Sequence, residues 1–199
     1  MIRYLFLIHF YVSKHFWIII NRIKFRIMGA SIGDNCRAYG KFYLLNKMGG
    51  AISIGNNFHL LSGNYFNPLV KGNRTAIYVR QEAILNIGDN TGISSSCIYC
   101  LKSITIGNNV QIGANSLIMD SDAHSKDYEV RRNSSDDLGD GKPIRIEDDV
   151  LIGTNSIVLK GVTIGARSII GAGSIVTKNI PADCVAAGNP CKVIRYLKE

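Results

Sequence analysis

Aliphatic residues recur every six positions along much of this chain. Ile146, Ile152, Val158, Ile164, Ile170 and Val176 form an unbroken series, and Ile106, Ile112 and Ile118 form another. Neither an α-helix nor a flat strand repeats at six. Most of these aliphatics are followed by Gly and, four places on, by a small or short residue, as in Ile152-Gly153 with Ser156, Ile164-Gly165 with Ser168 and Ile170-Gly171 with Ser174. Such a hexapeptide repeat predicts an all-β solenoid in which three repeats make one triangular coil of short strands, stacked on the next coil at about 4.8 Å. The aliphatic residue points into the prism. Gly and Asn after it turn the corner, since both visit positive φ more readily than other residues.

Counting in sixes locates the interruptions, which are where binding loops project from a repeat. From Ile32 to Ile54 is one coil plus four residues, and from Ile54 to Ile87 one coil plus fifteen, which predicts an excursion within 61–82. Ile106 resumes the repeat with one extra residue near 99–103, and Ile118 to Ile146 reads as one coil plus ten. That last insertion, near 119–143, carries Met119-Asp-Ser-Asp-Ala-His124 and then a hydrophilic run broken by Gly139, Gly141 and Pro143. It is a polar, histidine-bearing loop between clean coils. The expected organisation is an apolar basic helical segment over 1–28, the solenoid over 29–180 and a short tail over 181–199, with 192–198 as a strand or helix.

Composition sharpens the two ends. With 199 residues, nearly half of them hydrophobic, the chain can bury one continuous core. Its net charge is +8, and the segment 1–33 holds Arg3, Lys14, Arg22, Lys24 and Arg26 with no acidic residue, among Tyr4, Phe6, Phe10, Tyr11, Phe16 and Trp17. The apolar runs 4–12 and 16–20 each fall short of the roughly 18–20 residues that span a bilayer. No small-residue cleavage site follows them, as a signal peptide would require. Two readings fit and both can hold: a helix lying in the headgroup region of a membrane, or a helix capping the open end of the solenoid. Basic residues embedded among hydrophobics do not make a nucleic-acid surface.

Five cysteines, an odd number with no disulfide framework, fit a reducing cytoplasm. The expected location is cytoplasmic, with peripheral contact at the inner face of the membrane through the N-terminal segment. Cys36 and Cys97 fall four places after Ile32 and Ile93, in the small inward slot of the repeat, and Cys97-x-x-Cys100 lacks the second pair that a zinc site needs. His59 reads as a corner residue. With one histidine beyond residue 59, three His ligands cannot converge on a metal there, and no metal is expected.

Val162-Thr-Ile-Gly165, Ser168-Ile-Ile-Gly-Ala-Gly-Ser-Ile-Val-Thr-Lys178, Ile180-Pro181, Val185-Ala-Ala-Gly188 and Pro190-Cys-Lys-Val-Ile-Arg195 resemble the C-terminal half of hexapeptide-repeat sugar O-acetyltransferases of the galactoside, maltose, nodulation and polysaccharide-decorating types. The resemblance covers about residues 87–197. It implies a left-handed parallel β-helix, a homotrimer with active sites between subunits, acetyl-CoA as co-substrate and a carbohydrate hydroxyl as acceptor. In those relatives a histidine on the loop between coils is the catalytic base, and His124 holds the matching place. A neutral imidazole can take the proton of an attacking hydroxyl and return it to the departing CoA sulfur. Asp122, in preference to Asp120, is the candidate to orient the ring; the alternative is that both cap the turn through their own backbone. Ser94 aligns with an Asn that relatives place near the acetyl group and is the candidate oxyanion or acceptor contact.

For CoA the resemblance carries over to Thr154, Ala172, Thr177, Lys178, Lys192 and Arg195. Small residues leave a groove for pantetheine, and the three cations suit its phosphates. Leu151 replaces a Trp of galactoside-type relatives, and their N-terminal helical module has no counterpart, which argues against a free-sugar detoxifying enzyme. With the apolar N-terminus, this points to a lipid-linked glycan acceptor in capsule, lipopolysaccharide or exopolysaccharide synthesis. Acetylation of an antibiotic or amino sugar, and a catalytically silent trimeric scaffold, are the alternatives.

Overall fold

The computed structural model describes residues 2–46, 49–70, 72–133 and 139–197. After α1 (Ile2–Ile27) the chain winds through six coils of three strands each. The first coil is β1 (Ala30–Ile32), β2 (Arg37–Tyr39) and β3 (Tyr43–Asn46); the second is β4 (Ala51–Ile54), β5 (His59–Leu61) and β6 (Ala76–Val79). The third is β7 (Ile84–Ile87), β8 (Gly92–Ser94) and β9 (Cys97–Cys100); the fourth is β10 (Ser103–Ile106), β11 (Gln111–Ile112) and β12 (Leu117–Met119). A loop carrying α2 (Tyr128–Asn133) follows. The fifth coil is β13 (Ile144–Ile146), β14 (Leu151–Ile152) and β15 (Ile157–Val158), and the sixth is β16 (Thr163–Ile164), β17 (Ile169–Ile170) and β18 (Ile175–Val176). Then come β19 (Cys184–Ala187) and β20 (Lys192–Tyr196).

Strands of the same position stack in parallel into three sheets, which form the faces of the prism. Ile32, Ile54, Ile87, Ile106, Ile146 and Ile164 pair in one continuous column, the register expected from the repeat. Stacking continues past Val176: β19 adds to β17 in the second sheet, and β20 folds back on β19 antiparallel, so the tail is a strand.

Inward aliphatics such as Leu85, Ile98, Ile118, Ile152 and Val176 have no exposed surface or almost none. The polar groups that must accompany them inside are satisfied coil to coil. At the second corner, between the second and third sheets, Ser96, Ser116 and Ser156 hydroxyls each donate to a glycine carbonyl one coil on, Gly113, Gly153 and Gly171. At the first corner Asn57, Asn90, Asn109 and Asp149 all take positive φ and hydrogen-bond side chain to side chain in a ladder. Gly153 is required by proximity, since a Cβ there would lie 2.5 Å from the Ala172 nitrogen.

Three expectations are corrected. Ile118 and Ile146, at the two ends of the insertion, pair with Val158 and Ile164, which are six apart, so the fourth-to-fifth insertion is one excursion with no extra coil inside it. Within it, residues 134–138 lie outside the described residues. Cys97 faces outward on β9, because Ile93 and Ile98 are only five apart and the inward slot falls on buried Ser96. His59 opens β5 with its side chain outward rather than turning a corner.

The helix α1 caps the first coil. Phe25 is buried against Phe42 and Phe58, with ring centroids 5.2 and 6.5 Å away, and the buried Asn21 amide donates to the Ala38 and Gly40 carbonyls at 2.9 Å. Its opposite face leaves Leu5, Ile8, Val12, Phe16, Ile19, Ile23 and Ile27 exposed at steps of three and four residues, one continuous helical stripe. Among the described residues no helix is long and apolar enough to cross a membrane.

Candidate active site

His124 stands on the loop that leaves β12 at the third corner, between the third and first sheets, and the loop's root is strongly fixed. Asp120 is fully buried in the column above Cys100 and accepts the backbone N–H groups of Leu101, Lys102 and Ser103, each at 2.7 Å. Three donors satisfy its charge where burial would otherwise penalise it. Ser121 bridges Gly141 across the loop, and the Lys142 N–H donates to the Asp120 carbonyl at 2.8 Å. The returning limb passes directly against the histidine: at Gly139, with φ +63°, a Cβ would stand 2.3 Å from the His124 carbonyl oxygen. Only glycine fits both the conformation and the space.

Lys160, in the turn after β15, ties the two limbs together. Its Nζ donates to Asp122 Oδ2 at 2.5 Å and to the Asp140 carbonyl at 2.9 Å, and its side chain is only 11% exposed. Lys126 lies 3.5 Å from the same Asp122 oxygen. The Lys160 ammonium holds the Asp122 carboxyl below its usual pKa of 3.8. Asp122 is thus engaged by lysine rather than by the imidazole, and neither aspartate caps the turn alone. The His124 side chain is exposed and makes no hydrogen bond to another described residue. Lys160 was not among the expected site residues. Its signal, a lysine inside a clean hexapeptide series one coil above the insertion, carries no information about a partner as distant along the chain as Asp122.

The remaining expected residues divide between two corners and the last strand. Thr177 and Lys178 follow β18 on the third corner, above His124, and are exposed. Ser94 ends β8 on the second corner, and Thr154 and Ala172 occupy the same corner in the fifth and sixth coils. There Gly113, Gly153 and Gly171 let the next layer of chain stack closely on them, and Ala172 is exposed. Lys192 and Arg195 lie exposed on β20. One chain therefore keeps His124 and Ser94 at opposite edges of the third sheet.

That third sheet is apolar outside. Tyr43, Ala76, Cys97, Leu117, Ile157 and Ile175 form one outward column in register, whereas the corresponding column on the first sheet reads Ser31, Ser53, Asn86, Thr105, Arg145 and Thr163. The cysteines are free, and burial raises the thiol pKa of Cys36, Cys97, Cys100 and Cys191, for Cys100 to about 12. A raised thiol pKa leaves less of the reactive thiolate. Cys97 and Cys100 also point to opposite faces of β9. Among the described residues no group of His, Cys, Asp and Glu gathers to hold a metal ion.

A family model for the hexapeptide repeat of succinyl-transferase matches residues 84–119 and 143–178. A galactoside O-acetyltransferase from Lactococcus lactis is 33% identical over 172 residues, 86% of this chain and 65% of the relative; that of Escherichia coli is 44% identical over 97 residues, 49% of this chain and 46% of the relative. A hexapeptide-repeat acetyltransferase from Vibrio cholerae has a solved structure that is 30% identical, with TM-score 0.54, covering 85% of this chain and 74% of that one; its acetyl-CoA complex aligns at TM-score 0.59. The chain spans less than two thirds of the length of the curated relatives it matches. It belongs to the hexapeptide-repeat acetyltransferase family, and its fold is that family's left-handed parallel β-helix with an added N-terminal helix.

Proposed function

We propose that this protein is a homotrimeric acetyltransferase that moves acetyl from acetyl-CoA to a carbohydrate hydroxyl, with His124 as general base. The observation that carries the reading is the His124 loop: an exposed imidazole on a backbone fixed by buried Asp120, by Gly139 and by the Lys160 clamp. The division of the site supports the trimer. If the apolar third sheets of three copies surround a threefold axis, the second corner of each copy meets the third corner of the next, as in any closed heterologous ring. Ser94, Thr154 and Ala172 then share a cleft with His124, Thr177 and Lys178 of the neighbour.

That cleft would receive acetyl-CoA, which the Vibrio relative's complex contains: the corner carrying Thr154 and the small, exposed Ala172 leaves room for pantetheine, and Lys178, Lys192 and Arg195 attract its phosphates. His124 takes the acceptor hydroxyl proton as its oxygen attacks the thioester carbon, and Ser94 is the candidate donor to the tetrahedral oxyanion. Collapse breaks the carbon–sulfur bond, and the imidazolium returns the proton to the leaving thiolate. Asp122 acts through Lys160 as a positioning group. The exposed stripe of α1, in a segment with basic residues and no acidic ones, supports docking on an anionic membrane surface and hence a glycan acceptor handled there.

Thiol release from acetyl-CoA with a panel of saccharide acceptors tests the reading. Acceptor-stimulated release should fall about 100-fold or more in His124→Ala, with acetyl-CoA binding retained. Equal rates in wild type and variant would remove His124 from the chemistry, and a protein that binds no CoA species would be a scaffold instead. Including amino sugars in the panel separates O- from N-transfer.

A further inference from the structure

Beside the first two coils lies a cavity of about 280 Å³, walled by α1 on one side and by residues 62–66 and Arg74 of the excursion on the other. Its walls are prebuilt. The Phe10 ring packs 5.6 Å from Tyr65 and 5.8 Å from Phe66, and His9 Nδ1 meets the Tyr65 hydroxyl at 3.0 Å. The Ser62 hydroxyl donates to the Lys41 carbonyl at 2.6 Å and accepts the Thr75 N–H at 3.0 Å, which pins the root of the excursion to the corner below it. Gly40, with φ +82°, passes so close beneath that a Cβ would lie 2.1 Å from the Ser62 carbonyl oxygen.

The lining combines two chemistries. Trp17 and Tyr65 contribute aromatic rings, side chains of the kind that receive the C–H face of a pyranose, with Asn64 beside them for hydroxyls. Lys41 and Arg74 are exposed cations, and no carboxylate is among the described lining residues. The volume, near the lower end for ligand pockets, suits one monosaccharide unit with its phosphate. The cavity also sits where an acceptor has to enter. The excursion is joined to the turn carrying Ser94 by the Gly63 N–H donating to Ser95 Oγ at 3.2 Å. CoA-facing residues lie on the coils above, so the space below is left for the acceptor. In the proposed trimer, the groove lined by Arg80, Glu82 and Lys102, just beneath the His124 loop, faces the same cleft from the neighbouring copy.

Resting on the acetyltransferase reading above, we infer that this cavity is the acceptor subsite for a glycosyl phosphate: the sugar stacks on Trp17 and Tyr65, and Lys41 with Arg74 holds the phosphate. The phosphate can belong to a polyprenyl-linked saccharide at the membrane or to a water-soluble sugar phosphate.

Trp17 is the chain's single tryptophan, so its fluorescence reads the cavity directly and without catalysis. Hexose and hexosamine 1-phosphates, their parent sugars and polyprenyl-phosphate-linked forms in phosphatidylcholine vesicles are titrated into the full chain, with empty vesicles as the blank. Saturable change at lower concentration for the phosphates than for the parent sugars is expected, weakened about tenfold in each of Lys41→Ala and Arg74→Ala. Tighter binding of the vesicle-borne form marks the lipid-linked source, and equal binding marks the soluble one. No saturable change with any of the phosphates, equal binding of the neutral sugars, or unchanged binding in both variants overturns the assignment. Saturable binding without acetyl transfer would sink the transferase reading alone, and acetyl transfer without a Trp17 response would sink the subsite alone.

Discussion

Asp122 accepts Lys160 and faces Lys126, so at the scale of single residues the His124 loop depends on one carboxylate remaining charged. Its pKa is lowered in the folded protein, so its contribution is complete above the ordinary carboxylate value of 3.8 and is lost as pH falls through the lower folded value. Carboxyl NMR should find Asp122 titrating below 3.8 in the wild type and moving back towards it in Lys160→Met. If the two titrations coincide, Lys160 does not hold the loop. The same variant should lower kcat by about ten- to a hundredfold through misplacement of the base, with the KM for acetyl-CoA unchanged. Asp120 differs: Asp120→Ala leaves the part-buried N–H groups of Leu101, Lys102 and Ser103 without their acceptor and should cost about 3 kcal/mol of stability by denaturant titration. A loss under about 1 kcal/mol would mean that water enters and replaces the carboxylate. The sequence marks His124 by its loop, but it does not mark what holds the loop. Lys160 reaches Asp122 from the far side of the whole insertion, and the stray outward Cys97 follows from one missing residue in a coil whose inward slot Ser96 fills equally well.

At the scale of elements, α1 has two apolar faces, one buried through Phe25 and one bare from Leu5 to Ile27. The two readings open in the sequence are therefore separate faces of one helix: the cap is built, and the stripe is what a membrane surface would cover. Ile8→Glu with Ile19→Glu should leave the thermal midpoint within about 2 °C, because both side chains are exposed and surface changes of this kind cost little. The same pair should reduce binding to anionic vesicles at least about tenfold. Unchanged vesicle binding would exclude the stripe as the lipid-facing surface. Strand positions were legible because the repeat forces one aliphatic per side of the prism, and the pairing of Ile54 with Ile87 across a long excursion follows from it. Excursions were less legible. A gap as long as that from Ile118 to Ile146 is equally compatible with a loop alone or with a loop plus a coil, since polar residues impose no period.

At the scale of the whole molecule, the outward columns of the first and third sheets decide what one chain can do alone. The third sheet exposes aliphatic and aromatic side chains where the first exposes serine, asparagine and threonine, and the residues assigned to chemistry lie along its two edges. In the proposed reading a monomer has His124 without its facing groove. Leu117→Arg should give monomers in analytical ultracentrifugation and no acetyl transfer, although His124 and Ala172 are untouched. A stricter test uses two inactive proteins. His124→Ala removes the base at the third corner and Ala172→Trp fills the groove at the second, so neither homotrimer has an intact cleft. In trimers assembled at random from equal amounts of both, a cleft is intact only where the second corner comes from the first variant and the third corner from the other, about one cleft in four by the symmetry of a closed ring. Recovery of about a quarter of wild-type activity on co-refolding therefore establishes a shared site. Mixed trimers that stay inactive would require each cleft to be built from a single chain, and the apolar third sheet would then have a role apart from catalysis.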